Sequence, residues 1–310
     1  MASPRFTCLL LVTLSWSHVS AQEVPLLWKF DVGGEYQYRL TQQMDMEMSL
    51  GAANRNVNTE FRQVIDLTWK IEQIDDQGRA KIAQSVARMQ MDLRAPGDQE
   101  MHFDTDAKES PTGFAAMLVP LVKALTSETI NLTITPRGKI ENVEVPESLT
   151  KTMQAIPGAT MMGDLFSQTG FQNMIQQSSP VLPQSAELKP GHEWTRKSEL
   201  HHEQIGVVQA ETTYHYVGNR EAEGEKELLE VFTVQMKFAF DDGNESSQIK
   251  VVDHQSDGEL LFNRSAGQLH SSNLQQNLTL KLDSGEDTTM QKMIHNTILT
   301  RINESTETDP

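Results

Sequence analysis

The chain has 310 residues, a net charge of −17 and one cysteine. That length buries a full hydrophobic core without covalent staples, and a lone cysteine excludes an internal disulfide framework and every multi-cysteine metal site. The acidity disfavours nucleic acid and anionic membrane surfaces, because both repel a negative chain.

Residues 1–21 carry one positive charge at Arg5, an apolar run from Cys8 to Leu14, and the small residues Val19, Ser20 and Ala21. This is the pattern of a secretory signal peptide, with cleavage expected before Gln22. The run is too short to span a bilayer, and no later stretch is apolar enough to do so. Cys8 lies inside the run, so no lipid anchor is expected and the mature chain loses its cysteine. Asn-x-Ser/Thr sequons stand at Asn131, Asn244, Asn263, Asn277 and Asn303. The cysteine-free mature chain favours a bacterial envelope protein, periplasmic or extracellular and soluble, in which those sequons are incidental.

Alternating apolar and polar residues then predict strands. In EYQYRLTQQMDMEMSL, Tyr36, Tyr38 and Leu40 open a face that Met44, Met46 and Met48 continue. Ile65, Leu67, Trp69 and Ile71 alternate next, and Asp75-Asp76-Gln77-Gly78 marks a turn. In the partner run, Ile82, Gln84 and Val86 are out of phase with Met89, Met91 and Leu93, which predicts a bulge near Ala87. Residues 113–128 are a short helical candidate interrupted by Pro120. Leu149, Met153 and Ile156 share one helical face, and Met162, Leu165, Phe166, Phe171, Met174 and Ile175 mark two more. Pro180, Pro183 and Pro190 predict an extended linker.

Three blocks recur in order. GGEYQYRL (33–40) matches PGHEWTRKSEL (190–200), IDDQGRAKI (74–82) matches REAEGEKELLEV (220–231), and INLTITPRGKIENVEV (130–145) matches ELLFNRSAGQLHSSNL (259–274). They imply an internal duplication. The expected fold is mainly β, a β-rich α+β arrangement of two related halves of large curved antiparallel sheet. The first half covers 22–150 and the second 185–302, with a helical, proline-rich connection at 151–184 and a disordered tail at 303–310.

The segments KFDVGGEYQYRL, IEQIDDQGRAKI, ITPRGKIENVEV, PVLPQSAELKPGHEW and GELLFNRSAGQLHSSNLQQNLTLKL, in this order and spacing, resemble an uncharacterised family of exported β-rich proteins. That family is common in planctomycete-type bacteria and is known only as a domain of unknown function. The resemblance implies export and a two-part β architecture. It supplies no activity and no site residues.

Chemistry-bearing patterns are sparse. Met44, Met46 and Met48 project to one face of a strand, with Met89 and Met91, and Met161 and Met162, as further clusters. Thioethers suit Cu(I), flexible methionine suits a wall for apolar ligands, and the same alternation suits the buried face of a strand. Leu50 and Leu93 continue the two faces, which favours the core. His201 and His202 are adjacent on a strand and point to opposite faces. His215, His254, His270 and His295 are isolated. Residues 239–248 lack the ligand pattern of a calcium loop and read as a turn, as do Glu223, Gly224 and Glu225. No nucleophile, phosphate-loop or dinucleotide motif is present. No enzyme activity and no cofactor are expected. The leading expectation is a binding or structural module of the cell envelope, holding an apolar ligand or a protein partner. The alternatives are methionine-based copper binding through Met44, Met46 and Met48, and a hydrolase without a recognisable motif.

Overall fold

The computed structural model describes residues 25–50, 55–97, 99–108, 111–155, 172, 175, 180–185, 188–202, 206–222, 227–240, 249–284 and 287–302. The expected leader and tail, residues 223–226 and 241–248 that were expected to turn, and most of the expected helical connection lie outside these residues. The strands are β1 (Glu35–Leu50), β2 (Arg55–Ile74), β3 (Ala80–Ala95), β4 (Gln99–Asp104), β5 (Ile130–Ile134), β6 (Ile140–Glu144), β7 (Glu193–His202), β8 (Gly206–Glu221), β9 (Leu228–Phe240), β10 (Ile249–Asn263), β11 (Gln268–Ser284) and β12 (Asp287–Ile302). Two helices accompany them, α1 (Phe114–Ser127) and α2 (Glu147–Gln154).

All twelve strands belong to one antiparallel sheet, in the order β6-β5-β3-β2-β1-β12-β11-β10-β9-β8-β7, with β4 also on β3. The outer edge of β3 is shared end to end: Ala80–Gln84 pair with β5 and Gln90–Ala95 with β4. The expected halves are therefore continuous. They join where β1 pairs with β12, from Gln37 opposite Ile302 to Leu50 opposite Thr289. The first and last strands, β1 and β12, lie in the middle of the sheet, whose edges are β6 and β4 on one side and β7 on the other.

Period-two patterning decides the faces. Tyr36, Tyr38, Trp69, Ile71 and Ile82 are buried on one face. Arg39 lies on the other and forms a two-pronged ion pair with Asp66, at 2.7 and 2.9 Å. The bulge expected near Ala87 is present: pairing passes from Asp66 opposite Arg88 to Leu67 opposite Val86. The extra residue restores the phase, so Ile82 and Met89 face the same way.

The sheet is strongly curled. Laid flat, ten spacings of about 4.8 Å would hold its edges roughly 48 Å apart. Instead, two consecutive residues bridge them. Leu182 N–H donates to Arg137 O in the β5–β6 turn at 2.8 Å, and Val181 O accepts from the Trp194 indole of β7 at 2.8 Å. The concave side holds the main core, in which Leu132 and Ile134 of β5 join Tyr214, Tyr216 and Phe232 of β8 and β9. Residues 25–30 plug this end. Trp28 N–H donates to Pro136 O and Lys29 N–H to Gly267 O, each at 2.8 Å. Gly138 is required here: its φ is +86°, and a Cβ would strike Pro180 O and the Trp28 indole.

A second core lies under α1, where Met89, Met91, Met101 and Phe103 of β3 and β4 meet Ala115 and Val122. Pro120 does not interrupt the helix as expected. It sits inside α1 on the exposed side, where water satisfies the carbonyl that loses its N–H partner. Leu149 and Met153 of α2 are buried in the main core, as their shared helical face predicts.

Candidate functional site

The concave face continues beyond the main core toward the far ends of the strands. Pairing fixes its composition row by row. One row runs from Ser256 through Gln276, His295, Met44, Phe61 and Leu93 to Met101. The next runs through His254, Leu278, Met293, Met46 and Thr59, and a third through Val251, Leu280, Gln291, Met48 and Val57. The opposite face of the same strands carries Asp45, Glu47, Lys292, Lys281 and Asp257. From β8 across to β3, pairing gives the outer half of the concave face two formally charged positions among the described residues, Arg55 opposite Leu50 and Asp287 opposite Ser284, both at the far strand ends. Arg196, on the edge strand β7, sits opposite Thr212 of β8.

Burial separates the methionines. Met89, Met91 and Met101 are 5–8% exposed and belong to the core under α1. Met44, Met46, Met48, Met293, Leu278 and Leu280 are half-buried and belong to neither core. The buried-strand expectation therefore holds for β3, while the Met44–Met48 run falls short of it. Met161 and Met162 lie outside the described residues.

The copper alternative takes Met44, Met46 and Met48 together as one ligand set. Same-face neighbours on a strand lie about 6.8 Å apart, so Met44 and Met48 are held well away from each other. Pairing instead sets Met44 opposite His295 and Met46 opposite Met293. Among the described residues, no three His, Cys, Asp or Glu side chains come together as a metal site.

Ser256, Gln276, His295, His254, Thr59 and Gln291 interrupt the apolar surface, and two of them hold buried atoms without partners. Ser256 is 6% exposed, and its hydroxyl has no hydrogen-bond partner. His254, two residues back on the same face, has a buried Nε2 that also lacks a partner, and its ring stands edge-on to Phe238 at 4.5 Å. Burial holds the His254 imidazole below the usual histidine range, against the weaker pull of Asp253 on the outer face. Burial lowers His295 likewise, and its Nε2 lies 3.3 Å from Thr297 Oγ1. The Ser256 hydroxyl and His254 Nε2 do not bond each other. Gln276, opposite Ser256, donates to Met236 Sδ at 3.7 Å instead.

Sequence reasoning set His254 and His295 aside as isolated and missed Ser256 and Met293. The available signal was parity. Counting back from buried Leu260, the core-facing positions are Gly258, Ser256 and His254, polar where the pattern demands apolar. Among the described sequons, Asn263 and Asn277 hold buried side-chain atoms. Asn263 is 5% exposed, and its side chain bonds Glu227 and the Ala266 N–H within the β10–β11 turn. The carbonyl oxygen of Asn277 is buried.

The fold and this face define the class: a curled antiparallel sheet that packs one half of its concave side and leaves the other half partly open. Residues 77–223 match the model of a family of unknown function (DUF6263). No curated protein matches the chain. Among solved structures it is similar to lipovitellin, at 12% identity and a TM-score of 0.42, covering 91% of this chain. It spans 26% of the lipovitellin chain. It is also similar to an outer membrane channel from Pseudomonas putida F1, at 9% identity and a TM-score of 0.22, covering 92% of this chain and all of that one. A DUF1329 family protein from Desulfovibrio piger matches at 5% identity and a TM-score of 0.16, covering 87% and 88% of the two chains. No residue role or activity is carried over from these likenesses. No helix among the described residues is long and apolar enough to cross a membrane.

Proposed function

We propose that the protein is an exported, non-enzymatic binding module of the cell envelope that receives an apolar ligand on the outer half of its concave face. One observation carries this reading: Met44, Met46 and Met48, Leu278, Leu280 and Met293, on three adjacent strands, present a half-buried apolar wall outside both cores. Methionine adapts to varied apolar shapes, and an apolar surface without charge on a curved sheet favours a chain-like hydrocarbon over a polar solute.

A second reading is Cu(I) binding, favoured by the pairing of Met44 with His295 and Met46 with Met293. Two thioethers and a neutral imidazole at adjacent positions are suitable soft ligands. Native mass spectrometry of the secreted protein, with and without added Cu(I), separates the two. A retained adduct that extracts into organic solvent supports the apolar ligand. A stoichiometric copper adduct lost on Met46→Leu plus Met293→Leu overturns it in favour of the metal. A bare mass under both conditions counts against both.

A further inference from the structure

We propose that Ser256 and His254 form a polar anchor for the head of an uncharged amphiphile, an alcohol or a carbonyl compound, whose hydrocarbon chain lies along Leu278, Leu280, Met293 and Met46. This rests on the apolar-ligand reading above and specifies the class of ligand.

A buried polar atom without a partner is rare in a folded protein and calls for a reason. Here two such atoms, the Ser256 hydroxyl and His254 Nε2, stand on one face of one strand, two residues apart. Ser256 is more than nine-tenths buried, and its row neighbour Gln276 bonds elsewhere. Each atom is therefore oriented into the apolar face with an unused hydrogen-bonding site.

Their chemistry selects the head group. A serine hydroxyl both donates and accepts, and a neutral imidazole nitrogen does one or the other according to its tautomer. A ligand hydroxyl satisfies both at once, donating to one atom and accepting from the other. A carbonyl oxygen accepts from both when the imidazole proton sits on Nε2. A charged head fits poorly, because the rows of Ser256 and His254 carry no charged residue from β10 to β3, the charged positions Arg55 and Asp287 lie at the far strand ends, and an unpaired buried charge is strongly disfavoured. Arg196 on the edge strand β7 is three strands away from β10. It serves Tyr214 through a hydrogen bond, beside the Trp194 stack at 5.2 Å.

The chain's path follows from the rows. Leu278 lies opposite His254, Met293 opposite Leu278, and Met46 opposite Met293. A hydrocarbon leaving the anchor across the strands meets these side chains in turn, with Leu280 and Met48 one row further out. Flexible methionines at the distal end accommodate chains of different length.

The test uses the full mature chain at pH 8, with Nile red as an uncharged apolar probe and decan-1-ol and decanoate as competitors. Wild type should bind Nile red saturably, and decan-1-ol should displace it at lower concentration than decanoate does. In Ser256→Ala plus His254→Phe, Nile red should still bind saturably through its large apolar ring system, while decan-1-ol affinity falls about tenfold, the loss of roughly one hydrogen bond. An unchanged alcohol affinity in this variant, or a preference for decanoate in wild type, overturns the anchor and leaves the apolar wall standing. Absence of Nile red binding by wild type overturns both. If the double variant binds no Nile red, Ser256→Ala alone, which removes a single hydroxyl, is judged by the same alcohol criterion.

Discussion

Replacing Ser256 by alanine should stabilise the ligand-free protein, the reverse of the usual outcome for a residue that is 6% exposed. A buried hydroxyl without a partner costs about 1–3 kcal/mol of desolvation. Its removal orphans nothing, because Gln276 opposite it donates to Met236 Sδ. Alanine keeps the Cβ and gives back up to about 0.5 kcal/mol in strand preference. The net gain should be about 1 kcal/mol, which for a chain of this size raises the melting temperature by about 2 °C. The assay is urea unfolding followed by tryptophan fluorescence, on protein stripped of lipid by solvent extraction and refolded. Adding decan-1-ol should reverse the order. At a hundredfold excess over its dissociation constant a ligand stabilises by about 2.7 kcal/mol, and a tenfold weaker ligand by about 1.4 kcal/mol less. A loss of more than about 0.5 kcal/mol on Ser256→Ala in the stripped protein would refute the reasoning, because it would mean that the hydroxyl already has a structural partner.

Phe232 is 0% exposed in the main core, so Phe232→Ala should cost about 3–5 kcal/mol. Met46→Ala, half-buried and outside both cores, should cost about 1 kcal/mol yet weaken Nile red binding severalfold; equal destabilisation of the two would return Met46 to the core. Gly138→Ala should lower stability by at least about 2 kcal/mol through backbone strain and collision with Pro180 O and Trp28. Gly97→Ala, at φ +80° with open space around it, should cost only about 1 kcal/mol, a difference that urea midpoints resolve. The pH profile follows from the two histidines. With folded-state pKa values below the unfolded value of about 6.5, they leave stability complete above that pH and erode it as pH falls toward their folded values. Asp104, whose carboxyl is held low first by its Arg88 hydrogen bond, adds a further loss below about pH 4. Stability that rises between pH 7 and pH 5 in equilibrium unfolding would contradict these histidine environments.

Most strands were legible because each buries one face, and period-two alternation records that directly. Even the bulge at Ala87 was visible, since it shifts Met89 and Met91 out of phase with Ile82. The short strand β4 was not foreseen, because Met101 and Phe103 supply only two alternating apolar residues. The pairing of β1 with β12 was also hidden. It joins residues about as far apart in the chain as the fold allows, and nothing local encodes a partner. Without it, Met44 and Met46 had no visible neighbours, so the MDMEM run read as the buried face of a strand, with a copper set as the alternative. The pairing supplies His295 and Met293 as the true neighbours. Pro120 was overrated as a breaker, because its exposed position within α1 could not be judged before the helix was docked on β3 and β4. The polar residues His254 and Ser256 were obscured by a bulge of β10 at Val252, which scrambles the parity count from the N-terminal side.

The most direct test of an apolar ligand on the concave face is residue-level mapping of a photoreactive decyl diazirine crosslinked to the mature protein. β1 and β12 present their two faces at alternate residues, so neighbouring positions report opposite sides of the sheet. The expected result is saturable labelling of Met46, Met293, Leu278 and Leu280, suppressed by decan-1-ol. Labelling centred on the exposed outer-face residues Ile294 and Ile298, or labelling that does not saturate, would contradict it.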